Sequence, residues 1–164
     1  IETASPRIQK QIKKNLDLEK TRNAIRLISN EKIMTHGFFI FGFPTETRAE
    51  MLETIRFAAS SRLHLAGFFF ATPVPGTELY DMVKEDARFN FEENAFQYYS
   101  QDLVASDLPV KEVKKIHSTA FRKFYMNPLR LARIAAVHPN KKRLLPGALQ
   151  LLIRIFPGKK RSSG

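Results

Sequence analysis

No cysteine occurs among the 164 residues. That excludes disulfides, thiolate nucleophiles and cysteine-held metals within the chain. A membrane-crossing helix needs about 20 apolar residues. The greasy stretch of the tail, residues 144–156, is shorter and carries Gln150 and Arg154. No charged n-region, apolar h-region or cleavage site opens the chain. It starts at Ile1 rather than Met and reads as the C-terminal part of a longer protein. His36, His64, His117 and His138 form no HxxxH or HxxE pair, so their spacing predicts no protein-only metal site. No GxSxG string marks a serine nucleophile. Internal repeats and low-complexity tracts are absent as well.

Acidic residues almost vanish late in the chain. From Lys111 onward there are 14 Lys and Arg against Glu112 alone, a balance of +13, while the preceding part carries −2. The total of +11 therefore belongs to the tail. A positive tail suits an anionic partner, whether phospholipid, nucleic acid or protein, or else a solvated cationic surface. Residues 144–156 lie between Lys141-Lys142-Arg143 and Lys159-Lys160-Arg161. An apolar segment between cationic clusters suits a membrane interface. No RNP string, zinc pattern or aromatic interleaving supports a nucleic-acid module. Peripheral attachment to an anionic membrane is the preferred reading of the tail, ahead of nucleic acid, with a helix packed on an absent domain as the structural alternative. The expected location is cytoplasmic, at most peripheral to the inner membrane surface.

What is present is a pair of β-strand, loop, helix units between Gly37 and Tyr80. Ser5 followed by Pro6 predicts a helix start, with Ile8 and Ile12 on one face and Asn15 as the break. Asp17 caps a second predicted helix that ends near Asn30, with Ala24, Ile25 and Ile28 as its buried stripe. Residues 33–43 and 64–71 read as strands that are apolar on both faces, the mark of a parallel sheet covered on both sides. His36 is expected as a hydrogen-bonded residue of that buried sheet. Thr47 with Glu50 forms a capping box ahead of Met51, Ile55, Ala58 and Ala59. Thr77 caps a helix carrying Leu79, Met82 and Val83. Phe89, Phe91, Phe96, Tyr98 and Tyr99 mark an aromatic linker. Val113, Ile116, Ala120 and Phe124 keep helical spacing, and a further helix is expected over residues 129–137. The predicted organisation is α/β core 1–88, linker 89–110 and basic helical extension 111–164.

Each strand ends in a loop rich in Pro, Gly and Thr, where parallel folds place their chemistry. Gly42, at a strand end, admits close approach of a ligand to the backbone, and Pro44 fixes the turn. Small residues at Ala71 and Thr72 leave space above the sheet, and Pro73 and Pro75 stiffen the loop. Both loops also serve as ordinary βα turns with helix caps. With Glu2 and Thr3 they make three successive strand ends on one edge, which a shared ligand would use economically.

The strings IETASPRIQKQIKK, THGFFIFGFPTET and FFFATPVPGTELY resemble the second half of the radical S-adenosylmethionine core. The nearest likeness is to its cobalamin-binding class, which holds the anaerobic magnesium-protoporphyrin ester cyclases and hopanoid methylases. It covers about residues 1–84. The resemblance implies the C-terminal half of a partial (β/α)6 TIM-like barrel with a helical extension, supplying strands four to six. It implies S-adenosylmethionine and a four-iron four-sulfur cluster whose CxxxCxxC ligands lie outside this chain, with cobalamin on a further domain. It implies partners: the N-terminal half of the same protein and a small substrate such as a tetrapyrrole or lipid. Carried over, Glu2 and Thr3 match the ribose and methionine contact of the fourth strand. Ile40, Gly42, Phe43 and Pro44 match the adenine-packing motif of the fifth, and Ala71, Thr72 and Pro73 the sixth-strand contact near the adenine amino edge. Relatives often write the first loop GFPGET, where Thr45 stands here. The acidic residue Glu46 is one place later than in the common pattern and is read as capping or bracing the loop. Phe39, Phe41, Phe68, Phe69 and Phe70 suit the shielding of a radical from water, with about half of them core. The implied activity is radical methyl transfer or oxidative cyclisation by the whole protein, the chain alone being inactive. Two alternatives stay open: a radical methylthiotransferase acting on RNA or protein, and a non-catalytic membrane- or nucleic-acid-binding module.

Overall fold

The structure, a computed structural model, describes residues 1–86 and 104–140. The elements run α1 (Pro6–Gln11), α2 (Leu18–Asn30), β1 (His36–Phe41), α3 (Arg48–Ser60), β2 (Leu65–Phe70), α4 (Glu78–Val83), α5 (Val110–Tyr125) and α6 (Pro128–Val137). The aromatic linker, apart from residues 104–109, and the tail beyond residue 140 lie outside the described residues, so the expected 144–156 segment does too.

Local sequence chemistry sets the helix starts. Ser5, Asp17, Thr47, Thr77 and Asn127 each accept a backbone N–H of the following turn. At Thr47 the reciprocal bond from Glu50 completes the capping box. Pro6 and Pro128 stand in the first turns of α1 and α6, where a missing N–H costs nothing. α1 is shorter than expected and stops at Gln11, with Lys13 and Asn15 in left-handed turn geometry. In α2 the buried stripe is Ile25 and Ser29, whereas Ala24 and Ile28 face solvent.

β1 and β2 pair in parallel, Phe39 opposite Phe68 and Phe41 opposite Phe70, with α3 as the crossover. Both strands are shorter than their apolar runs. On one face Phe39, Phe41 and Phe68 are fully packed against α3 and α5, with Met51, Ile55, Val113, Ile116, Ala120, Phe121 and Phe124. Phe68 stacks between Phe39 and Phe41 and meets Phe121 edge-on at 5.1 Å. The other face is not covered as the sequence implied. Phe38 and Phe69 are 51% and 49% exposed and lie 5.9 Å apart, with Gly67 leaving room for their rings. His36 is exposed and rests on Phe38, not buried in the sheet; the buried histidine is His64, bonded to Thr35. A greasy strand of a parallel sheet needs two covering layers, and the described residues supply one.

The outer edge of β2 is closed. The Tyr125 hydroxyl donates to the Ala66 carbonyl at 2.8 Å and accepts the Ala66 N–H at 3.0 Å. His117 Nε2 donates to the Phe68 carbonyl, and Ala105 N donates to the Ala71 carbonyl. Side chains of α5 thus occupy three of the groups a further strand would need, the N–H and C=O of Ala66 and the C=O of Phe68. On the opposite side Ile40 N donates to the Glu2 carbonyl at 2.8 Å, so the N-terminal residues flank β1.

α6 is held by an arginine. Arg130 is fully buried and its Nη2 donates to the carbonyls of Ala58, Ala59 and Ser61, capping the C-terminal end of α3. Its guanidinium stacks on Phe124 at 3.5 Å. Burial lowers its pKa to about 10, so it stays charged at neutral pH. Among the described residues no helix is long and apolar enough to cross a membrane.

Replacing Tyr125 with Phe keeps the ring and strips the edge of its partner. Two buried backbone groups lose their bonds, so urea unfolding of Tyr125→Phe is expected to show a loss of about 1–3 kcal/mol. An unchanged midpoint would mean that the hydroxyl does not close the edge.

Candidate functional site at the strand rim

The carboxyl ends of the strands lie side by side. Glu2 neighbours Ile40, Phe41 neighbours Ala71 and Ala71 neighbours Ala105, each through a backbone bond of 2.8 Å. The three loops that the sequence singles out therefore meet at one rim, joined there by the start of the α5 segment.

The β1–α3 loop is braced from within. Glu46 is buried and its Oε2 accepts the N–H groups of Gly42 (2.7 Å) and Phe43 (3.2 Å), while Oε1 has no partner. Burial raises its pKa to about 7, the two N–H bonds only partly opposing this. Gly42 has φ +86°, and a Cβ there would meet Val104 Cγ1 at 2.5 Å. The close approach that glycine permits is thus made by the chain's own Val104. Thr45 has φ +63°, a left-handed setting that costs a β-branched residue about 1–2 kcal/mol. This explains why glycine suits that place in the loop. Here Thr45 is held by Arg7 on its hydroxyl and carbonyl and by Asp107 on its N–H.

Glu50 ties the rim together. Its carboxylate accepts from Ser5 Oγ, from Arg7 Nε and Nη2, and from the N–H and hydroxyl of Thr47. The Arg7 guanidinium, aided by these donors, holds its pKa at about 2. Sequence reasoning found Glu50 as a cap but missed Arg7, whose only signal is a cation next to the helix-starting Ser-Pro pair.

Each predicted site residue has a definite place. Thr3 is buried, its hydroxyl paired with that of Thr54 and accepting the Ser5 N–H, its carbonyl taken by Gln9. Phe43 and Ala71 are buried in a small core with Ile8, Val83 and Ala105, against which Ile40 packs. Pro44 is buried, its carbonyl bonded by Gln11, and Pro73 is buried too. The space expected above Ala71 and Thr72 is thus filled in part by α1 and α4. Glu2, Ile40 and Thr72 remain partly exposed. Glu2 pairs with Lys14 at 3.2 Å, and the Thr72 hydroxyl makes only a long 3.5 Å bond to the Phe70 carbonyl. A cleft of about 120 Å³ borders Glu2, Thr3 and Gln9. That is below the roughly 300 Å³ of ordinary small-molecule pockets. Among the described residues no cluster of three or more His, Asp or Glu could hold a metal.

The chain matches an uncharacterized methyltransferase of Pyrococcus horikoshii at 27% identity over 157 residues, 95% of this chain and 34% of the relative. An anaerobic magnesium-protoporphyrin IX monomethyl ester cyclase of Rubrivivax gelatinosus matches at 22% over 87% of this chain and 26% of its own length. These relatives belong to the radical S-adenosylmethionine family, to which the chain is thus similar. A putative methylthiotransferase of Methanocaldococcus jannaschii is 37% identical, over 51% of this chain and 18% of the relative. The chain spans about a third or less of the length of these relatives. No family model matches it.

Glu46 gives the rim a pH signature. Its raised pKa means that folding favours the neutral acid: this contribution is full below about pH 4.5 and is lost as pH rises through 7. Wild type is therefore expected to lose about 2–3 kcal/mol relative to Glu46→Gln between pH 5 and 8. His64, whose lowered pKa acts oppositely in that window, is common to both proteins and cancels. Urea unfolding at both pH values measures the difference, and parallel pH curves would contradict the assignment.

Proposed function

We propose that this chain is the C-terminal half of a partial (β/α)6 barrel in a radical S-adenosylmethionine enzyme that carries out methyl transfer or oxidative cyclisation. The observation that carries the reading is the juxtaposition of Glu2, Ile40 and Ala71 at one rim of parallel strands, in a chain whose methyltransferase relative aligns over 95% of it. The closed outer edge of β2 supports it too, because added strands could then pair only on the side of residues 1–4. The uncovered face with Phe38 and Phe69 is where such a barrel would turn inward.

The residues fit the implied cofactors unequally. An iron–sulfur cluster finds no ligand here, since there is no cysteine. A nucleoside fits in part. The Gly42 and Phe43 amides are engaged by Glu46, but Ile40 offers an apolar ledge and Thr72, just past the end of β2, an under-used hydroxyl. Glu2, Ile40 and Thr72 would touch the adenosyl group, with Thr3, Gly42, Phe43, Pro44, Ala71 and Pro73 as the frame beneath. Bound with a reducing cluster, S-adenosylmethionine would supply a 5′-deoxyadenosyl radical. This chain's part is to orient the nucleoside and, through Phe38 and Phe69, to keep water from that side of the sheet. Cobalamin would belong to another domain, and the substrate to a small tetrapyrrole-like or lipid-like class. Methyl transfer or cyclisation is favoured over methylthiolation because the matches that extend over most of the chain are to a methyltransferase and a cyclase, and α5 and α6 follow the strands.

In the full-length protein, reconstituted without oxygen, Ile40→Ala and Thr72→Val are each expected to weaken S-adenosylmethionine binding about tenfold, roughly 1.4 kcal/mol, with iron content unchanged. The isolated chain should form no 5′-deoxyadenosine. Wild-type affinity in both variants would remove the rim from the cofactor site.

A further inference from the structure

α6 packs through Ile134 and a completely buried Arg130, yet leaves Leu129 and Leu131 74% and 46% exposed. A helix that needed only to pack would bury these leucines and expose that arginine. The buried arginine anchors the helix to α3 and fixes which side of α6 looks outward. Met126, at the end of α5, is 61% exposed as well, so the α5–α6 turn carries apolar side chains at a projecting corner.

Two shallow grooves, of about 650 and 550 Å³, flank Leu129. Arg122 and Lys123 line the first, Arg62 and Arg133 the second, and neither is lined by a carboxylate. None of these four cations is in an ion pair among the described residues, although seven other pairs form. The sequence continues from α6 into Lys141-Lys142-Arg143 and the apolar stretch 144–156.

We propose that the α5–α6 corner docks on an anionic phospholipid surface, Leu129 and Met126 entering the headgroup–acyl boundary while Arg62, Arg122, Lys123 and Arg133 meet lipid phosphates. The combination selects this partner. A nucleic-acid backbone would satisfy the cations but leave two projecting apolar side chains in water, whereas a bilayer interface accepts both. Nothing in this argument depends on the radical enzyme reading, and the corner lies at the end of α3 opposite the Glu46 loop.

The absence of cysteine makes the test direct. Leu129→Cys in the full chain is labelled with a polarity-sensitive fluorophore and mixed with phosphatidylcholine vesicles containing one-third phosphatidylserine, or none. Glu85→Cys, exposed beyond α4 near the strand rim, serves as the control site. The expected result is a blue shift at position 129 with anionic vesicles only, and none at position 85. Unlabelled Met126→Ser/Leu129→Ser should partition at least about tenfold less, and each of Arg122→Gln and Lys123→Gln about fivefold less. Circular dichroism checks that these surface variants stay folded. Vesicle binding with the 129 label still in water would place the membrane contact elsewhere and overturn the proposal. So would no binding, equal binding to neutral vesicles, or a shift at 129 produced by single-stranded RNA instead of lipid.

Discussion

The closed outer edge of β2 is the constraint on which the rest of the molecule depends. A two-stranded parallel sheet has little stability of its own. Here α5 lies along β2 and uses Tyr125 and His117 to take up its free backbone groups. That placement lets Phe121 and Phe124 meet Phe68, which completes the aromatic core over Phe39 and Phe41. α5 in turn carries α6, and Arg130 of α6 caps α3, the crossover between the two strands. The contacts form a loop from strand to helix and back to the strand connection, leaving open the side of residues 1–4 and the face that carries Phe38 and Phe69.

At the rim, polar groups are spent mostly on the chain itself. Glu46 takes two amides at the end of β1, and Glu50 gathers donors from α1, its own cap and Arg7. These two carboxylates sit in contrasting surroundings, one buried with an oxygen unpartnered, the other surrounded by donors. Hence one has its pKa pushed up to about 7 and the other down to about 2. The effect is a rigid loop whose strained Thr45 is held by neighbours rather than relieved by glycine. Rigidity of this kind suits a surface that positions a ligand without moving.

Much of this architecture is legible in the residues. The Ser5-Pro6 start, the Thr47–Glu50 box and the Thr77 cap are local signals with short-range causes, and each forms as the pattern implies. The apolar runs before Pro44 and Pro73 mark the strands for the same reason. What could not be read depends on distant partners. Periodicity alone could not tell that Ile28 would face water while Ser29 is buried. Nor could it tell that His36 would lie open and His64 closed, because the described residues cover only one sheet face. Arg130 looks like any basic residue of the tail until the end of α3 is placed beside it. The strand-end pattern leaves the side of Gly42 open to a ligand, yet Val104, far along the chain, fills it. At the site, the meeting of the two strand ends followed from the parallel βαβ pattern, while residues 1–3, expected as a third strand end, lie beside β1 without forming a strand. The occupation of their amides by Glu46 needed coordinates.

The central claim is that the strand rim of this chain receives the nucleoside of S-adenosylmethionine. It is tested most directly by photo-cross-linking the full-length protein with an azidoadenosyl analogue of S-adenosylmethionine and mapping the labelled peptides. The account predicts label on residues 38–43 or 71–74, displaced by excess S-adenosylmethionine. Displaceable label found only outside those segments would contradict it.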